Sequence, residues 1–412
     1  MRDRLRTDAI WWAAALAGAL TMSWLALQGF AWNDYDNEVS AAFRALSAGD
    51  IQGFLALAPA YGGSMVLRAP FAGATAALGG GELAVYRAVS IPCVLAVAVL
   101  GVSLVRRMGL RGRTTGARAL VLGLCVANPI TLRALEIGHP EELLGAAFAI
   151  GAVLAAVDRR TVLAAVLLGL AIATKSWAVL AIGPVLLALP GRRILALGIA
   201  GAIPIAVIAP IWLAGSPETF VVSSATTGGT VFQPWDLFWF LGHTGEVVIG
   251  GNGLPKPDGW RVPPAWLSPL THPFIAFLVV PVSLAWARVH RAASHTNPEQ
   301  LLALLALLFF LRCALDPWNV VYYHLPFVLA LLAWETLCRP ERPPVAALSV
   351  TALVWVTFQS APDWLSPDMQ SVVFVVWALP LIAWLGRTVF TTPAARAERH
   401  SAAGTRPHAV AA

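Results

Sequence analysis

The chain has 412 residues, of which 58% are hydrophobic and only 12% carry a charged side chain. A soluble globular protein carries roughly 25% charged residues, so this composition excludes a soluble enzyme and a disordered chain. The formal net charge of +6 comes from arginines in short segments between apolar blocks, and the only two lysines are Lys175 and Lys256. This spacing is typical of topology signals in a membrane protein and does not indicate nucleic-acid binding.

Twelve apolar blocks separated by polar segments predict an all-α polytopic membrane protein with about 12 transmembrane helices. The first block follows a basic start and lacks a small-residue cleavage site, so we expect a retained helix. We expect one membrane domain over residues 1–390 and a disordered cytoplasmic tail over residues 391–412. The blocks are Ile10–Phe30, Ala88–Val105, Ala119–Leu135, Leu143–Val157, Thr161–Thr174, Trp177–Leu189, Ile194–Leu213, Pro273–Ala287, Leu301–Leu311, Leu325–Leu337, Val345–Phe358 and Val372–Leu385.

The alternation of these blocks predicts how the chain is oriented in the cell membrane. If the N-terminus is cytoplasmic, most arginines fall in cytoplasmic segments and most acidic residues fall in outward ones. Both termini are then cytoplasmic, and the long polar segments 31–87 and 215–272 face outward. In the first of these segments, Val39–Leu46 and Ile51–Leu57 have apolar residues at helical spacing, which predicts short juxtamembrane helices.

Three carboxylates at alternate positions follow the first block: Asp34, Asp36 and Glu38. A carboxylate at the outer edge of the membrane is suited to accept a proton from a hydroxyl group as a general base. Two other interpretations stay open, a solvated acidic loop and a site for Mg²⁺ or Mn²⁺, which prefer oxygen ligands. Because no second ligand cluster is recognisable, we expect no metal and no other cofactor.

The segment Gly138–Glu142, with the sequence Gly-His-Pro-Glu-Glu, begins the fourth block at an outward corner. Ionisable groups at membrane depth are costly and usually face a cavity, so His139, Glu141 and Glu142 are candidate substrate-binding residues. The alternative is structural, because acidic residues also stabilise the N-terminal end of a helix dipole.

Lys175 lies between two apolar runs, on the side that the alternation places outside. A structural lysine would be expected on the cytoplasmic side, where its ammonium group could reach the interface. An outward ammonium group suits a phosphate, because it is a compact positive charge with rotatable donors. We therefore predict phosphate binding, with snorkelling towards the interface as the alternative.

Two further polar groups precede or follow apolar blocks. Taken alone, the first group is better interpreted as an Arg–Asp pair with interfacial aromatic side chains than as a substrate-binding group. The second has tryptophan beside acidic and histidine side chains, which can stack on a sugar and hydrogen-bond to it, although tryptophan also marks membrane interfaces. The first group is Arg312, Asp316, Tyr322 and Tyr323, and the second is Trp235, Asp236 and His243.

Together these segments resemble polyprenyl-phosphate-sugar-dependent glycosyltransferases of the GT-C fold, closest to integral-membrane α-mannosyltransferases that use polyprenyl-phosphate-mannose. The resemblance extends over most of the chain. The matching features are Asp36 followed by Ala41–Asp50, the Gly138–Glu142 corner, the segment Leu168–Lys175 with Pro184 after it, and Asp316 with Tyr322 and Tyr323.

The resemblance implies an inverting transferase that moves a sugar, mannose, from a polyprenyl-phosphate donor to a glycolipid or glycan acceptor on the outer face. Asp36 takes the place of the catalytic base, but Ser40 stands where the family often has tyrosine, so the choice between Asp36 and Asp34 stays open. Lys175 and Arg312 would stabilise the leaving phosphate. The alternative function is a lipid or solute transporter or flippase, which would place ionisable groups at the midplane and usually contain repeats.

The predicted topology can be tested by cysteine labelling or reporter fusions. We expect Asp36, His139, Gly251 and Asp363 to be accessible from outside and Arg111 from the cytoplasm. A first polar segment that cannot be labelled from outside would contradict the orientation and, with it, an outward active site.

Overall fold

The computed structural model is mostly helical in the part of the chain that it describes and has no strand there, and the predicted all-α membrane architecture is confirmed at that level. The only β-type pairing among the described residues is an isolated antiparallel bridge between His243 and Val262. The predicted tail lies outside the described residues except for Thr391. The structure describes residues 2–25, 34–59, 62–215, 232–245, 248, 256, 258–291, 297–339 and 341–391.

The described residues form eighteen α-helices. Short 3-10 segments at Ser176–Ala181 and Val321–His324 precede two of them, α11 and α16. The helices are α1 (Arg2–Leu25), α2 (Asp34–Glu38), α3 (Ser40–Ser47), α4 (Ile51–Leu57), α5 (Gly63–Ala77), α6 (Glu82–Leu110), α7 (Thr115–Val126), α8 (Pro129–Ile137), α9 (Glu141–Val157), α10 (Thr161–Thr174), α11 (Ile182–Ala188), α12 (Arg193–Ala214), α13 (Leu267–Phe277), α14 (Val279–His290), α15 (Leu301–Leu315), α16 (Leu325–Cys338), α17 (Val345–Trp355) and α18 (Pro367–Phe390).

Eight helical segments of the described chain are long and apolar enough to cross a bilayer, which supports a membrane protein. Two shorter apolar segments, Thr161–Thr174 and Ser176–Ala188, lie between them. The number of crossings and the side on which each terminus lies stay predictions. The eight segments are Glu82–Leu110, Thr115–Ile137, Arg193–Ala214, Pro269–His290, Pro298–Leu315, Val321–Cys338, Val345–Asp363 and Pro367–Phe390.

The helices follow the predicted apolar blocks, with local differences that have physical causes. The short helices predicted at Val39–Leu46 and Ile51–Leu57 are confirmed as α3 and α4. The block Ala119–Leu135 is divided between α7 and α8, because Pro129 begins a new helix and the Asn128 side chain caps it. Helix α5, in the first long polar segment, was not predicted.

The most buried part of the bundle is formed by α9, α15 and α16, whose side chains are almost all enclosed. Helices α6 and α10 pack on either side of α9, and α16 also packs against α9. By contrast, only Ala196, Ala200 and Ile211 of α12 are buried, as expected for a helix at the edge of a membrane bundle. The beginnings of α9 and α16 carry the predicted polar groups, and their packing brings those groups to the same region.

The turn between α8 and α9 depends on Gly138, which ends α8 in the left-handed region with φ of 107°. A Cβ atom at this position would lie 2.5 Å from the backbone nitrogen of Tyr35. Glycine is therefore required both by the backbone angle and by the close approach of α2. That approach places the acidic segment of α2 next to His139.

Candidate functional site

A cavity of about 540 Å³ lies at the end of the bundle where α9 begins. Its wall combines charged side chains with an apolar surface. The predicted site residues on this wall are Asp34, Glu38, His139, Glu142, Lys175, Arg312, Asp316, Tyr322 and Tyr323. The other lining residues are Ser176, Trp177, Val179, Leu180, His272, Pro273, Ile275, Ala276 and Trp318.

Glu141 lies just behind this wall, with only 9% of its side chain exposed, and is surrounded by three cationic groups. Its Oε1 atom lies 2.8 Å from Nδ1 of His139 and 3.0 Å from Nζ of Lys175. Its Oε2 atom lies 3.5 Å from Nη2 of Arg68, on α5. A buried carboxylate is costly unless it is paired and hydrogen-bonded, and these contacts offset that cost.

His139 links Glu141 to the acidic segment of α2. Its Nε2 atom lies 3.1 Å from Oδ2 of Asp34, and its ring is stacked on that of Tyr322 with centroids 4.3 Å apart. Burial alone would lower the pKa of His139, but the hydrogen bonds to Asp34 and Glu141 raise it to about 10. The ring is therefore an imidazolium at neutral pH, and both of its N–H groups donate to carboxylates.

Glu142 is fully buried and faces two cations of the cavity, Lys175 and Arg312. Its Oε1 atom accepts a hydrogen bond from Nε1 of Trp177 at 3.3 Å and lies 3.7 Å from Nζ of Lys175 and 3.9 Å from Nη2 of Arg312. The guanidinium of Arg312 also donates to the backbone oxygen of Tyr323 and lies over its ring at 3.9 Å. Glu142 thus holds two cations beside each other at the wall.

A second histidine–carboxylate pair lines the same cavity. Nε2 of His272 lies 3.4 Å from Oδ1 of Asp316, which also accepts a hydrogen bond from the backbone N–H of Trp318 at 3.0 Å. Asp316 is buried, whereas the His272 side chain is 45% exposed. This pair gives the cavity a second group that can exchange a proton.

The acidic segment of α2 contributes unequally to the wall. Asp34 lines the cavity with 41% of its side chain exposed, and Glu38 also lines it. Asp36 is not among the lining residues, and its backbone oxygen accepts a hydrogen bond from Oγ of Ser40 at 3.0 Å. The assignment of Asp36 as the base stays a prediction, whereas the geometry favours Asp34.

The predicted sugar-binding group at Trp235, Asp236 and His243 does not line this cavity. Trp235 packs on the ring of Phe358, and the fully buried Asp236 accepts a hydrogen bond from the backbone N–H of Phe238. His243 is exposed and is held by its backbone bridge. In this structure these side chains stabilise local structure, and their role in substrate binding stays a prediction.

Two residues of the site were missed from the sequence. Arg68 was overlooked because its segment was not predicted to be helical, and His272 because it precedes an apolar block in a long polar segment. Charged side chains within apolar runs usually pair with one another, and this principle points to Arg68. Arg68 is 2% exposed and also donates to the backbone oxygen of Ser64.

No group of three or more His, Cys, Asp or Glu side chains suited to a metal ion occurs within the described ranges. Asp34 and Glu38 line the cavity. Asp34 contacts the cationic His139, and the negative charge of Glu38 raises the pKa of Lys175. The expectation that no metal or other cofactor is required stays a prediction.

Residues 57–191 match the family model for the alpha-(1->6)-mannopyranosyltransferase N-terminal domain. The matched segment contains Arg68, the Gly138–Glu142 corner and Lys175, so it includes the charged cluster around Glu141. No curated protein and no solved structure matches the chain. The matched segment is about a third of the chain, and the match supports a glycosyltransferase of the mannosyltransferase type.

The raised pKa of His139 predicts a pH-dependent contribution to stability. Since the folded pKa of about 10 lies above the usual value of 6.5, the contribution is complete below about pH 6.5 and is lost as the pH rises towards 10. This contribution is measured as the difference in Tm between the detergent-solubilised protein and its His139→Gln variant, from pH 6 to pH 10. The difference in Tm should shrink with rising pH, and a difference that does not change would contradict the assigned protonation state.

Proposed function

We propose that this chain is a membrane mannosyltransferase that takes mannose from a polyprenyl-phosphate donor and transfers it to a glycolipid or glycan acceptor. The observation that carries the proposal is the cavity itself, in which a carboxylate, Asp34, shares a wall with two cations, Lys175 and Arg312. The family match supports the mannosyl part of the proposal. The resemblance described above supports a GT-C arrangement and an active site on the outer face.

The two cations are suited to bind the phosphate of the donor. Burial alone would lower the pKa of Lys175, but Glu141 and Glu142 raise it by a larger amount. The net shift is upward, so the ammonium group is charged. Glu142 and the ring of Tyr323 keep the Arg312 guanidinium beside it. Donors that are already fixed in a water-poor site stabilise developing negative charge without reorganising during the reaction.

The same wall has an apolar part that suits a lipid-linked donor. Val179, Leu180, Ile275 and Ala276 line the cavity next to the charged residues. A prenyl chain lying on these side chains would place its phosphate towards Lys175. This arrangement accounts for a charged site beside a hydrophobic surface, which a water-soluble nucleotide-sugar donor would not need.

Aromatic and polar groups of the cavity are suited to hold the sugar. The rings of Tyr322 and Tyr323 lie at 81° to each other on the wall, and Trp318 lies near them in sequence. Aromatic faces pack on the apolar faces of sugars. Within the described residues Oε2 of Glu142 is buried without a hydrogen-bond partner, and a sugar hydroxyl would satisfy it.

In the proposed reaction Asp34 is the general base. His139 donates a hydrogen bond to its Oδ2 atom and so fixes the orientation of the carboxylate. As the acceptor oxygen attacks the anomeric carbon and forms the new glycosidic bond, its proton passes to Asp34. The bond between the anomeric carbon and the phosphate oxygen breaks, and the lipid phosphate leaves with the electron pair. The configuration at the anomeric carbon is inverted.

Asp34→Asn should abolish transfer because the amide keeps the shape but cannot accept a proton. Loss of a general base costs about 10²–10⁴-fold in rate. Asp36→Asn, two residues away and off the cavity wall, is the matched control and should retain most activity. The measurement is transfer of radiolabelled mannose from polyprenyl-phosphate-mannose by purified protein, with donor binding measured separately. An active Asp34→Asn variant beside an inactive Asp36→Asn variant would contradict the assignment of the base. If EDTA stopped transfer and Mn²⁺ restored it, the acidic residues would be assigned to metal binding instead.

Lys175→Ala should weaken the use of the donor, because the phosphate loses a fixed positive charge. Charge-assisted hydrogen bonds are worth about 1.5–3 kcal/mol, which corresponds to roughly 10- to 100-fold in donor affinity. Lys175→Arg should retain part of the activity, since the charge survives while its geometry changes. Lys256→Ala removes the other lysine and is the matched control. Equal donor affinity in all four proteins, at equal abundance, would contradict phosphate binding.

A further inference from the structure

A second cavity, of about 350 Å³, lies on a different part of the bundle and shares no lining residue with the first. Its floor is α9, from Ala147 to Ala155, and its walls are α6 and the beginning of α10. The residues on the floor include Gly151 and Ala155, whose small side chains leave a groove between the flanking helices. Val99 and Leu163, at 51% and 43% exposed, form apolar rims on the two walls.

The groove is apolar along its length and charged at one end. The charged end carries Arg107, Asp158 and Arg160, with Ser103 next to them. Arg107 is paired with Asp158, whereas no ion pair among the described residues involves the exposed Arg160. The end therefore has a net positive charge, which favours an anionic group there.

The dimensions of the groove fit one leaflet of a bilayer. From Ala96 to Arg107 the wall formed by α6 rises 1.5 Å per residue, or ~17 Å in all, and the hydrocarbon core is ~30 Å thick. A groove of this length accommodates one extended acyl chain from the headgroup to near the midplane. The alternation of apolar blocks places its arginine end on the cytoplasmic side, where anionic lipids attract basic residues.

We propose that this groove is a binding site for an anionic phospholipid, with one acyl chain on Gly151 and Ala155 and the headgroup phosphate at Arg107 and Arg160. The shape of the groove and the charge at its end carry the proposal together. A zwitterionic lipid has the same chains but would gain less at the arginines, so the site should distinguish lipids by headgroup. The site is independent of the proposed transferase reaction.

Native mass spectrometry of the full-length protein in detergent tests the proposal directly. Added dipalmitoyl phosphatidylglycerol should bind several-fold more tightly than dipalmitoyl phosphatidylcholine, and inorganic phosphate should not displace it because the chain is part of the binding. Arg160→Gln should weaken binding of phosphatidylglycerol about fivefold, the effect of one basic residue at an anionic lipid surface. Arg159→Gln makes the same charge change at a residue that does not line the groove, and should have a smaller effect.

A second variant tests the groove itself. A Cβ atom at Gly151 would lie 3.4 Å from Cδ1 of Leu167, so Gly151→Leu would fill the floor and should lower binding of both lipids. Unchanged Tm and unchanged transfer activity would show that this variant still folds. Equal affinity for the two lipids, or equal effects of Arg160→Gln and Arg159→Gln, would overturn the proposal. Displacement by inorganic phosphate would do the same, since it would indicate an anion site without a lipid chain.

Discussion

The carboxylate of Glu141, buried at the first residue of α9, interacts with positive groups from three separate parts of the chain. Arg68 comes from α5, His139 from the turn before α9, and Lys175 from the connection after α10. A buried charge loses its hydration and must be compensated by partners, and removal of one partner from such a group typically costs about 3–5 kcal/mol. The positions of these three segments at the cavity therefore depend on this one side chain.

Glu142 extends the same arrangement to the other side of the cavity. Consecutive helical residues point about 100° apart, so the two carboxylates face different neighbours. Through His139, Glu141 is connected to Asp34, whereas Glu142 lies between Lys175 and Arg312. The first turn of α9 thus orients the group proposed to accept a proton and the groups proposed to hold a phosphate. In an inverting displacement these two functions must act on opposite sides of one carbon atom, so their relative position decides whether the reaction can proceed.

The sequence was sufficient to find most of the charged residues of the cavity, because each of them lies near the end of an apolar block. Gly138–Glu142, Lys175 and Arg312 were identified by that rule, and the structure brings them together. This rule predicts how deep in the membrane a residue lies, but it does not predict in which direction around the helix axis its side chain points. For that reason it could not distinguish Asp34 from Asp36, which differ by about 200° on a helix.

The same limit applies to predicted residues that do not line this cavity and to residues that were not predicted. The group at Trp235 was selected for its composition, but its backbone contacts hold it away from the cavity, and such tertiary contacts leave no periodic pattern. Arg68 was missed because α5 lies in a segment with Gly and Pro residues that weaken the helical pattern. In the structure its guanidinium is the third cation beside Glu141.

A structure of the protein with a phosphonate analogue of polyprenyl-phosphate-mannose would test the central claim most directly. The claim is that the corner around Glu141 and Glu142 assembles one site for both the base and the phosphate. We expect a phosphonate within hydrogen-bond distance of Lys175 and Arg312, with the Asp34 carboxylate on the opposite side of the anomeric carbon. An analogue bound with its phosphonate away from both cations, or with Asp34 on the same side as the phosphonate, would contradict it.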